Sequence, residues 1–188
     1  MFRNLITALF LLTPVTVQAQ HWNAGASWQG GLYPLFHVDG EARYEGAYMQ
    51  GFAVHAEHHL ANRVHVGGEV QTLWIMSEYA KSPRLTISPM ARGRYTHPLF
   101  KHLSLDLILA VGATCWPEER DYGMGIAINM DQTQWGVSFR LSGGVRLALP
   151  RGVAIWFHGG YTALSTFTGG HTVYLDALSL SAGLGYTF

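Results

Sequence analysis

Residues 103–114 read LSLDLILAVGAT, and their alternation decides the fold. Every odd position from Leu103 to Ala113 is aliphatic, whereas the even positions from Ser104 to Thr114 are mostly small or polar. A period of two residues places successive side chains on opposite faces of a β-strand. This stretch therefore predicts a strand with one aliphatic face and one small or polar face.

Seven further stretches are rich in β-formers, alternate in polarity and are separated by turn signals. The eight predicted strands span residues 22–33, 46–60, 63–76, 84–96, 102–115, 133–148, 152–164 and 173–188. Their connections alternate between short ones, near residues 61–62, 98–101 and 150–151, and longer ones at 33–45, 77–83, 117–132 and 165–172. An even number of strands with short turns at one end and long loops at the other is typical of membrane barrels, in which the short turns face the periplasm.

The composition excludes several classes of protein. The chain has 188 residues, of which 48% are hydrophobic and 13% charged, and its 12 basic residues equal its 12 acidic ones. This is too apolar for a disordered chain and lacks the basic excess of a nucleic-acid binder. The one cysteine, Cys115, cannot form an intramolecular disulfide or a multi-thiolate metal site.

Charged residues of the predicted strands fall on the face opposite the aliphatic one. They are Glu57, Glu69, Arg92, Arg94, Asp106, Arg140 and Arg146. An arginine that faced lipid at mid-bilayer would cost roughly 2–4 kcal/mol, and a shift of one residue would expose several of them, so the strand register is strongly fixed. We expect these side chains to form a lumen charge network, most of it near the short turns, in which opposite charges pair because unpaired buried charges are costly.

Two kinds of eight-stranded barrel fit the alternation. A soluble lipocalin-like binding barrel places apolar side chains inside, whereas a membrane barrel places them toward lipid. Three features favour the membrane barrel: the polar face is rich in Gly, Ser and Ala; the two lysines, Lys81 and Lys101, both lie in connections; and neither Trp22 nor Trp28 follows a glycine by two positions, as the lipocalin-type G-x-W would require. The soluble secreted barrel remains the alternative.

The N-terminus has the features of a secretory signal peptide. Arg3 precedes an apolar run, residues 5–17, and Val17-Gln18-Ala19 fits the small-x-small cleavage rule. We therefore expect a signal peptide at 1–19 and a β-barrel at 20–188, exported and inserted in the outer membrane.

The last predicted strand carries apolar residues at every second position and ends on Tyr186-Thr187-Phe188. This resembles the terminal strand of Gram-negative outer-membrane proteins, in which the closing aromatic residues form an assembly signal. With the strand number and the loop asymmetry, the whole stretch 22–188 resembles the small eight-stranded outer-membrane β-barrel family, which includes the OmpA transmembrane domain and the OmpX/Ail group. The peptidoglycan-binding domain of OmpA-type proteins is not expected here.

The resemblance implies several expectations about function. Tyr186 and Phe188 would be read by the barrel-assembly machinery, and the outward face would contact outer-membrane lipid and lipopolysaccharide. An eight-stranded barrel is filled by its own side chains, so we expect a monomer with a structural or surface-interaction role, such as adhesion or ligand binding, and not a general pore. Residues 117–132 would present a loop to an extracellular partner or remain a solvated loop. We expect no catalytic residues, no cofactor and no nucleic-acid partner.

Two other interpretations involve specific residues. A lipid A-modifying enzyme of the acyltransferase or deacylase type needs Ser, His and an orienting group together at the outer rim. Its candidates are His102-x-Ser104, which lies beside a short turn, and the loop residues His37, Asp39, Ser77, Ser165 and His171. A metal site could be drawn from His55, Glu57, His59 and His65, but nothing in a strand requires their ligand atoms to converge, and we favour hydrogen bonding in the lumen.

Overall fold

The computed structural model of the protein describes residues 22–38, 41–44, 48–76, 84–116, 134–168 and 171–188. Almost all of them lie in nine β-strands. The strands are Trp22–Val38 (β1), Glu41–Tyr44 (β2), Tyr48–Ala61 (β3), Val64–Met76 (β4), Arg84–Pro98 (β5), Leu103–Trp116 (β6), Gln134–Ala148 (β7), Val153–Thr168 (β8) and His171–Thr187 (β9). No helix among the described residues is long and apolar enough to cross a membrane.

Eight of these strands close into an antiparallel barrel. Neighbours pair in the order β1, β3, β4, β5, β6, β7, β8 and β9, and β9 then pairs with β1. The ninth strand, β2, pairs with the far end of β1 and prolongs it as a hairpin. The predicted all-β, eight-stranded up-and-down barrel is confirmed.

The strands are staggered by ten residues around the barrel. A walk from Asn23 along paired residues passes Glu57, Gly67, Arg92, Ala110, Arg140 and Thr162 and ends at Ala177 on β9. The residue of β9 that pairs with Asn23 is Thr187, and 187 − 177 = 10. Such a stagger accompanies a tilt of the strands from the barrel axis of about 35–45°.

The aliphatic face of β6 points outward, as the alternation predicts. Leu107 and Leu109 are 54% and 48% exposed, whereas Asp106 and Ile108, at the alternate positions, are at most 3% exposed. The same alternation holds on β3, β4 and β7, where Glu57, Glu69 and Arg140 are buried inside. The outward face is therefore apolar and the lumen is polar.

Large apolar side chains cover the outside of the whole barrel. Every barrel strand contributes exposed ones, such as Trp28 on β1, Phe52 on β3 and Phe157 on β8. A soluble monomer rarely exposes a continuous apolar patch larger than a few hundred Å², and a lipocalin-type barrel has the reverse distribution. The fold is therefore that of a transmembrane β-barrel.

Three connections at one end of the barrel are short. They comprise Asn62-Arg63 between β3 and β4, residues 99–102 between β5 and β6, and 149–152 between β7 and β8. Asn62 and Arg151 adopt positive φ angles of 46° and 63°, the left-handed conformation that Asn tolerates best among non-glycine residues. The connections 77–83 and 117–133 at the opposite end lie outside the described residues.

Two predicted loops are largely strand. The connection placed at 33–45 was wrong in part, because β1 continues to Val38 and pairs with both β2 and β9. The β1–β9 register shifts between Leu32 and Leu35, and the buried Pro34 lies in this bulge. A bulge adds one residue and inverts the alternation beyond it, which hides the strand from a period-two search. Likewise, β8 and β9 extend to Thr168 and from His171, through most of the connection placed at 165–172.

The orientation of β6 predicts a position-dependent cost for an introduced charge. Leu109→Arg places a guanidinium on the outward face near the middle of β6, and we expect it to lower the free energy of unfolding by about 2–4 kcal/mol. Phe100→Arg, at an exposed short turn, is the matched control and should cost less than about 1 kcal/mol. Urea unfolding of protein folded in lipid vesicles measures both, and equal costs would contradict the assigned orientation.

Candidate functional site: the charged lumen

The lumen-facing side chains of the described strands form three layers. The layer nearest the long connections is apolar and consists of Met49, Leu73, Ile75, Trp116, Leu164, Leu175 and Ala177. A layer of neutral polar side chains follows. The third layer, nearest the short turns, contains most of the charged residues predicted to face the lumen.

Sequence spacing places the charges in that third layer. Glu57 lies four residues before the end of β3, Arg94 four residues before the end of β5, and Asp106 three residues after the start of β6. These strand ends all adjoin short turns. Glu57, Arg92 and Arg140 also share one row of paired residues, in which Gly67 and Ala110 alternate with them. The two small residues leave room for the large charged side chains on either side.

Arg92 joins two carboxylates from two strands. Its Nε donates to Glu57 Oε1, and its Nη1 donates to Glu69 Oε2 over 2.5 Å. The Arg92 side chain is 4% exposed and both carboxylates are fully buried. Hydrogen bonds between ionised groups are stronger than those between neutral groups. Because Arg92 makes two of them, to carboxylates on two strands, it is the centre of this layer.

Arg94 extends the network to β6. Its Nε donates to Glu57 Oε2 over 2.8 Å, and its Nη1 donates to Thr96 Oγ1 over 2.7 Å and lies 3.5 Å from Asp106 Oδ1. Thr96 donates in turn to Asp106 Oδ1 over 2.8 Å. Asp106 Oδ2 lies 3.6 Å from His158 Nε2 on β8. The charges thus connect β3, β5, β6 and β8.

The last two arginines differ in their partners. Arg140 Nη2 donates to Glu69 Oε2 over 2.5 Å, so this oxygen accepts from two guanidinium groups. Arg146 forms no ion pair with a described carboxylate. Its Nη2 donates to Asn23 Oδ1 over 3.3 Å, and its guanidinium lies 5.5 Å from the centre of the Trp156 ring. Three carboxylates therefore face four guanidinium groups among the described lumen residues.

The Trp156 ring packs against three glycines of β1 and β9, Gly25, Gly183 and Gly185, which together form a glycine cradle. A Cβ atom at Gly25 would lie 2.5 Å from the Trp156 ring, at Gly183 2.6 Å and at Gly185 3.0 Å. The opposite side of the indole contacts other members of the layer: the rings of His55 and His158 lie 5.3 and 6.3 Å away. The absence of a side chain at these glycines is what lets the ring lie against the wall.

Neutral hydrogen bonds fill the middle layer. Gln71 donates to Gln29 across the lumen. The other pairs are Ser88 to Thr114 at 2.9 Å, Thr162 to Ser179 at 3.1 Å and Thr166 to Gln134 at 3.2 Å. All of these side chains are buried, so the described strands leave no wide water-filled path beside them.

Of the histidines considered for a metal site, His59 and His65 are paired with their rings 5.0 Å apart, whereas His55 lies apart from them. His55 packs on Trp156, His65 Nδ1 lies 3.4 Å from Asn23 Nδ2, and His59 Nε2 lies 3.0 Å from the Asn62 carbonyl oxygen. Among the described residues, no group of three His, Cys, Asp or Glu side chains is arranged to hold a metal ion.

The residues considered for an enzyme are not brought together within the described part of the chain. His102 is exposed at a short turn, and Ser104 Oγ contacts the Arg146 carbonyl at 3.5 Å. Ser165 Oγ contacts the backbone of Val137 on the side of β7, away from β1, which carries His37. Asp39 and Ser77 lie outside the described residues, as does the His171 side chain.

His37 takes part in a cluster that the sequence analysis did not anticipate. Its Nε2 lies 3.3 Å from Asp176 Oδ1, and Asp176 Oδ2 accepts from the Tyr161 hydroxyl over 2.8 Å. The cluster ties β8, β9 and β1 together beyond the bulge, on the outer surface near the long connections. It joins the two strands that close the barrel where their register changes.

The candidate assembly signal lies at the other end of the closing seam. Tyr186 and Phe188 point outward, are 45% and 55% exposed, and their rings meet edge to face at 5.2 Å. The Phe188 N–H donates to the Trp22 carbonyl over 2.9 Å, which fixes the last residue to the first described one. Cys115 is half-buried near the end of β6, and the loop 117–132 lies outside the described residues.

Sequence reasoning missed the uncharged members of the network. Four residues that are neither acidic nor basic in the manner of Asp, Glu, Lys or Arg contact the charged side chains. They are Asn23, Thr96, Trp156 and His158. On β1, β5 and β8 these residues occupy the alternate positions that face the lumen, and this alternation is the signal that would have identified them.

Comparison with known proteins supports the fold. Neither a protein-family model nor a curated protein sequence matches this chain. Among solved structures, Neisserial surface protein A matches with a TM-score of 0.56 and 13% identity, over 89% of this chain and 97% of that chain. OprG of Pseudomonas aeruginosa gives 0.49 and 14%, over 90% and 96%, and Ail of Yersinia pestis 0.46 and 14%, over 90% and 99%. At this identity the likeness concerns the fold, and the fold is that of the small outer-membrane barrels.

Removal of Arg92 should reveal the strength of the pairing. Arg92→Met leaves Glu57 and Glu69 without a shared partner, and breaking a buried pair costs about 3–5 kcal/mol. Arg146→Met is the matched control: it removes the arginine that has no described carboxylate partner, and we expect a loss of about 1 kcal/mol. Urea unfolding midpoints in vesicles compare the two, and equal losses would contradict the paired network.

The glycine cradle predicts a second asymmetry. Gly183→Ala forces a Cβ against the Trp156 ring and the Ala26 carbonyl oxygen, 2.5 Å away, and overpacking of this kind costs about 1–3 kcal/mol. Gly159→Ala is the control, since its Cβ would meet only Leu180 at an ordinary 3.6 Å. The near-ultraviolet circular dichroism of tryptophan should change in the first variant and not in the second; unchanged spectra and midpoints in both would contradict the close packing.

Proposed function

We propose that this chain is an integral protein of a Gram-negative outer membrane, in which the barrel anchors the protein and the long connections face the cell surface. The observation that carries this proposal is the inverted distribution of side chains, with leucines outside and paired ions inside. Such a barrel is stable only where hydrocarbon surrounds it. The expected signal peptide, residues 1–19, lies outside the described residues and would supply the export that this location requires.

The packed lumen favours a structural or surface-interaction role over that of a diffusion pore. The charged layer and the neutral layer are each held by hydrogen bonds between side chains from different strands. A solute would have to break buried ion pairs and also pass the apolar layer. Both steps are costly, so we propose that the barrel serves as a scaffold.

The long connections supply a surface with a definite charge. Residues 39–47, 77–83 and 117–133 together contain eight acidic and three basic side chains. Their net charge of 3 − 8 = −5 attracts cationic partners and repels bare phosphates. We propose that a partner of these connections is basic or is held through divalent cations, and that the barrel assembles through recognition of Tyr186 and Phe188 and remains a monomer.

A non-enzymatic role follows from the same proposal. An acyl-transfer site needs a nucleophile, a base and an orienting group within hydrogen-bond distance. The described His37 and Ser165 belong to separate contacts. We therefore infer no cofactor and no lipid A chemistry for this chain.

Cell fractionation with gel electrophoresis tests the proposal. We expect the full chain in the outer-membrane fraction, resistant to alkaline extraction, with a faster-migrating unheated form that disappears on boiling. Tyr186→Ala/Phe188→Ala should reduce the amount of this folded form, whereas Tyr95→Ala, an outward aromatic far from the C-terminus, serves as the control. Recovery in the soluble periplasm would contradict the membrane location, and an altered lipid A mass spectrum on overexpression would contradict the non-enzymatic role.

A further inference from the structure

The end of the barrel that carries the short turns forms a cationic rim. Arg63, Lys101 and Arg151 lie on the three short turns and are all exposed. The segments 58–66, 95–105 and 147–154, which form these turns and the adjoining strand ends, contain no Asp or Glu. Arg63, Lys101 and Arg151 therefore give the rim a positive excess.

The three cations are distributed around the barrel. Arg63 lies between β3 and β4, Lys101 between β5 and β6, and Arg151 between β7 and β8. Two barrel strands separate Arg63 from Lys101 and Lys101 from Arg151, and four separate Arg151 from Arg63 on the remaining side. The rim therefore presents positive charge in three directions, and any partner that neutralises it must surround the barrel or bind it in several copies.

Exposed apolar side chains accompany these cations. Phe100 is 75% exposed, Leu60 63% and Leu99 42%. Leu99 and Phe100 precede Lys101, and Leu60 lies three residues before Arg63, so these two turns each have an apolar part and a charged part. A small soluble anion would satisfy the charge but would leave this apolar surface in water.

Histidines and a tryptophan complete the rim. His58 lies on the outward face with its ring 5.3 Å from that of Trp22, and Arg63 Nη1 lies 3.0 Å from His97 Nδ1. Tryptophan is enriched at the level of lipid headgroups. The rim is therefore placed where the hydrocarbon surface of the barrel meets a headgroup layer.

We propose that this rim is a binding surface for anionic phospholipid headgroups of the leaflet that it faces. Lys and Arg side chains extend their apolar stems along the hydrocarbon and place their charges among the phosphates, and each cation near an anionic surface favours binding by about fivefold, equivalent to about 1 kcal/mol. Leu60, Leu99 and Phe100 insert among the acyl chains next to these phosphates. The proposal rests on the membrane location proposed above, and it adds a lipid class and a set of residues.

The opposite end of the barrel strengthens the assignment. The long connections have a net charge of −5, whereas the rim segments carry three cations and no Asp or Glu. Charge is thus separated along the barrel axis, and an anionic leaflet attracts one end and repels the other. The short-turn rim is therefore the end of the barrel at which anionic headgroups are favoured.

Quenching of tryptophan fluorescence by brominated lipids tests the proposal. The full chain carries Trp28→Phe, Trp74→Phe and Trp135→Phe, so that Trp22 is the outward-facing tryptophan that remains; Trp116 and Trp156 are buried in the lumen. The protein is folded into phosphatidylcholine vesicles that contain brominated phosphatidylglycerol or brominated phosphatidylcholine. We expect an association constant at Trp22 at least fivefold higher for phosphatidylglycerol at low salt, a preference that falls in 0.5 M NaCl because salt screens exposed charges.

The rim variant is Arg63→Gln/Lys101→Gln/Arg151→Asn, in which asparagine suits the positive φ of position 151. The matched control, Arg43→Gln/Lys81→Gln/Arg120→Gln, removes the same charge from the opposite end. The preference should disappear in the rim variant and persist in the control. If the rim variant does not fold, the proposal is tested by the salt dependence of the phosphatidylglycerol preference in the parent protein, which should fall in 0.5 M NaCl.

Several outcomes would overturn the proposal. Equal quenching by the two lipids in the inserted parent protein, or a preference that survives in the rim variant, contradicts headgroup binding at the rim. Loss of the preference in excess inorganic phosphate at matched ionic strength indicates a site for free phosphate instead. Failure of either lipid to quench Trp22 would instead contradict the membrane location itself, which separates the two proposals.

Discussion

An ionised guanidinium group cannot face hydrocarbon without a large loss of free energy, and this constraint determines the rest of the structure. Arg140 and Arg146 lie on β7, whose other face is mainly valine, phenylalanine and leucine, and Arg92 and Arg94 lie on β5, whose other face is also uncharged. One register places all four in the lumen, and a shift by one residue places them in lipid. The closed barrel with its apolar outside is the arrangement that satisfies both faces.

Enclosing the arginines creates a second requirement, because a charge inside a barrel also needs partners. Glu57 and Glu69 meet it by accepting from two arginines each, and Asp106 by contacting Arg94, Thr96 and His158. Arg146 relies on an amide oxygen and an aromatic face. These large side chains leave little space in the lumen. Small residues are therefore common at the other lumen-facing positions, which is why glycine is frequent there.

The fold could be predicted from the sequence because the alternation of side chains along a strand is a local property. Residues 103–114 alone show which side chains share a face. The sequence was also sufficient to place the charged layer near the short turns. It could not predict which carboxylate meets which guanidinium. Arg140 reaches Glu69 across 71 residues of chain, and that contact depends on the stagger of the whole barrel. The β1–β2 hairpin was missed for a local reason, since the bulge at Pro34 inverts the alternation on which the search relied.

Asn23, on the first strand, accepts hydrogen bonds from Arg146 and from Thr187, which lie 123 and 164 residues farther along the chain. Both partners are therefore synthesised long after the first strand. Until they are in place, the Asn23 side chain lacks both donors and β1 lacks its pairing with β9. Closure of the barrel between β1 and β9 is thereby coupled to the polar contacts that Asn23 makes inside it.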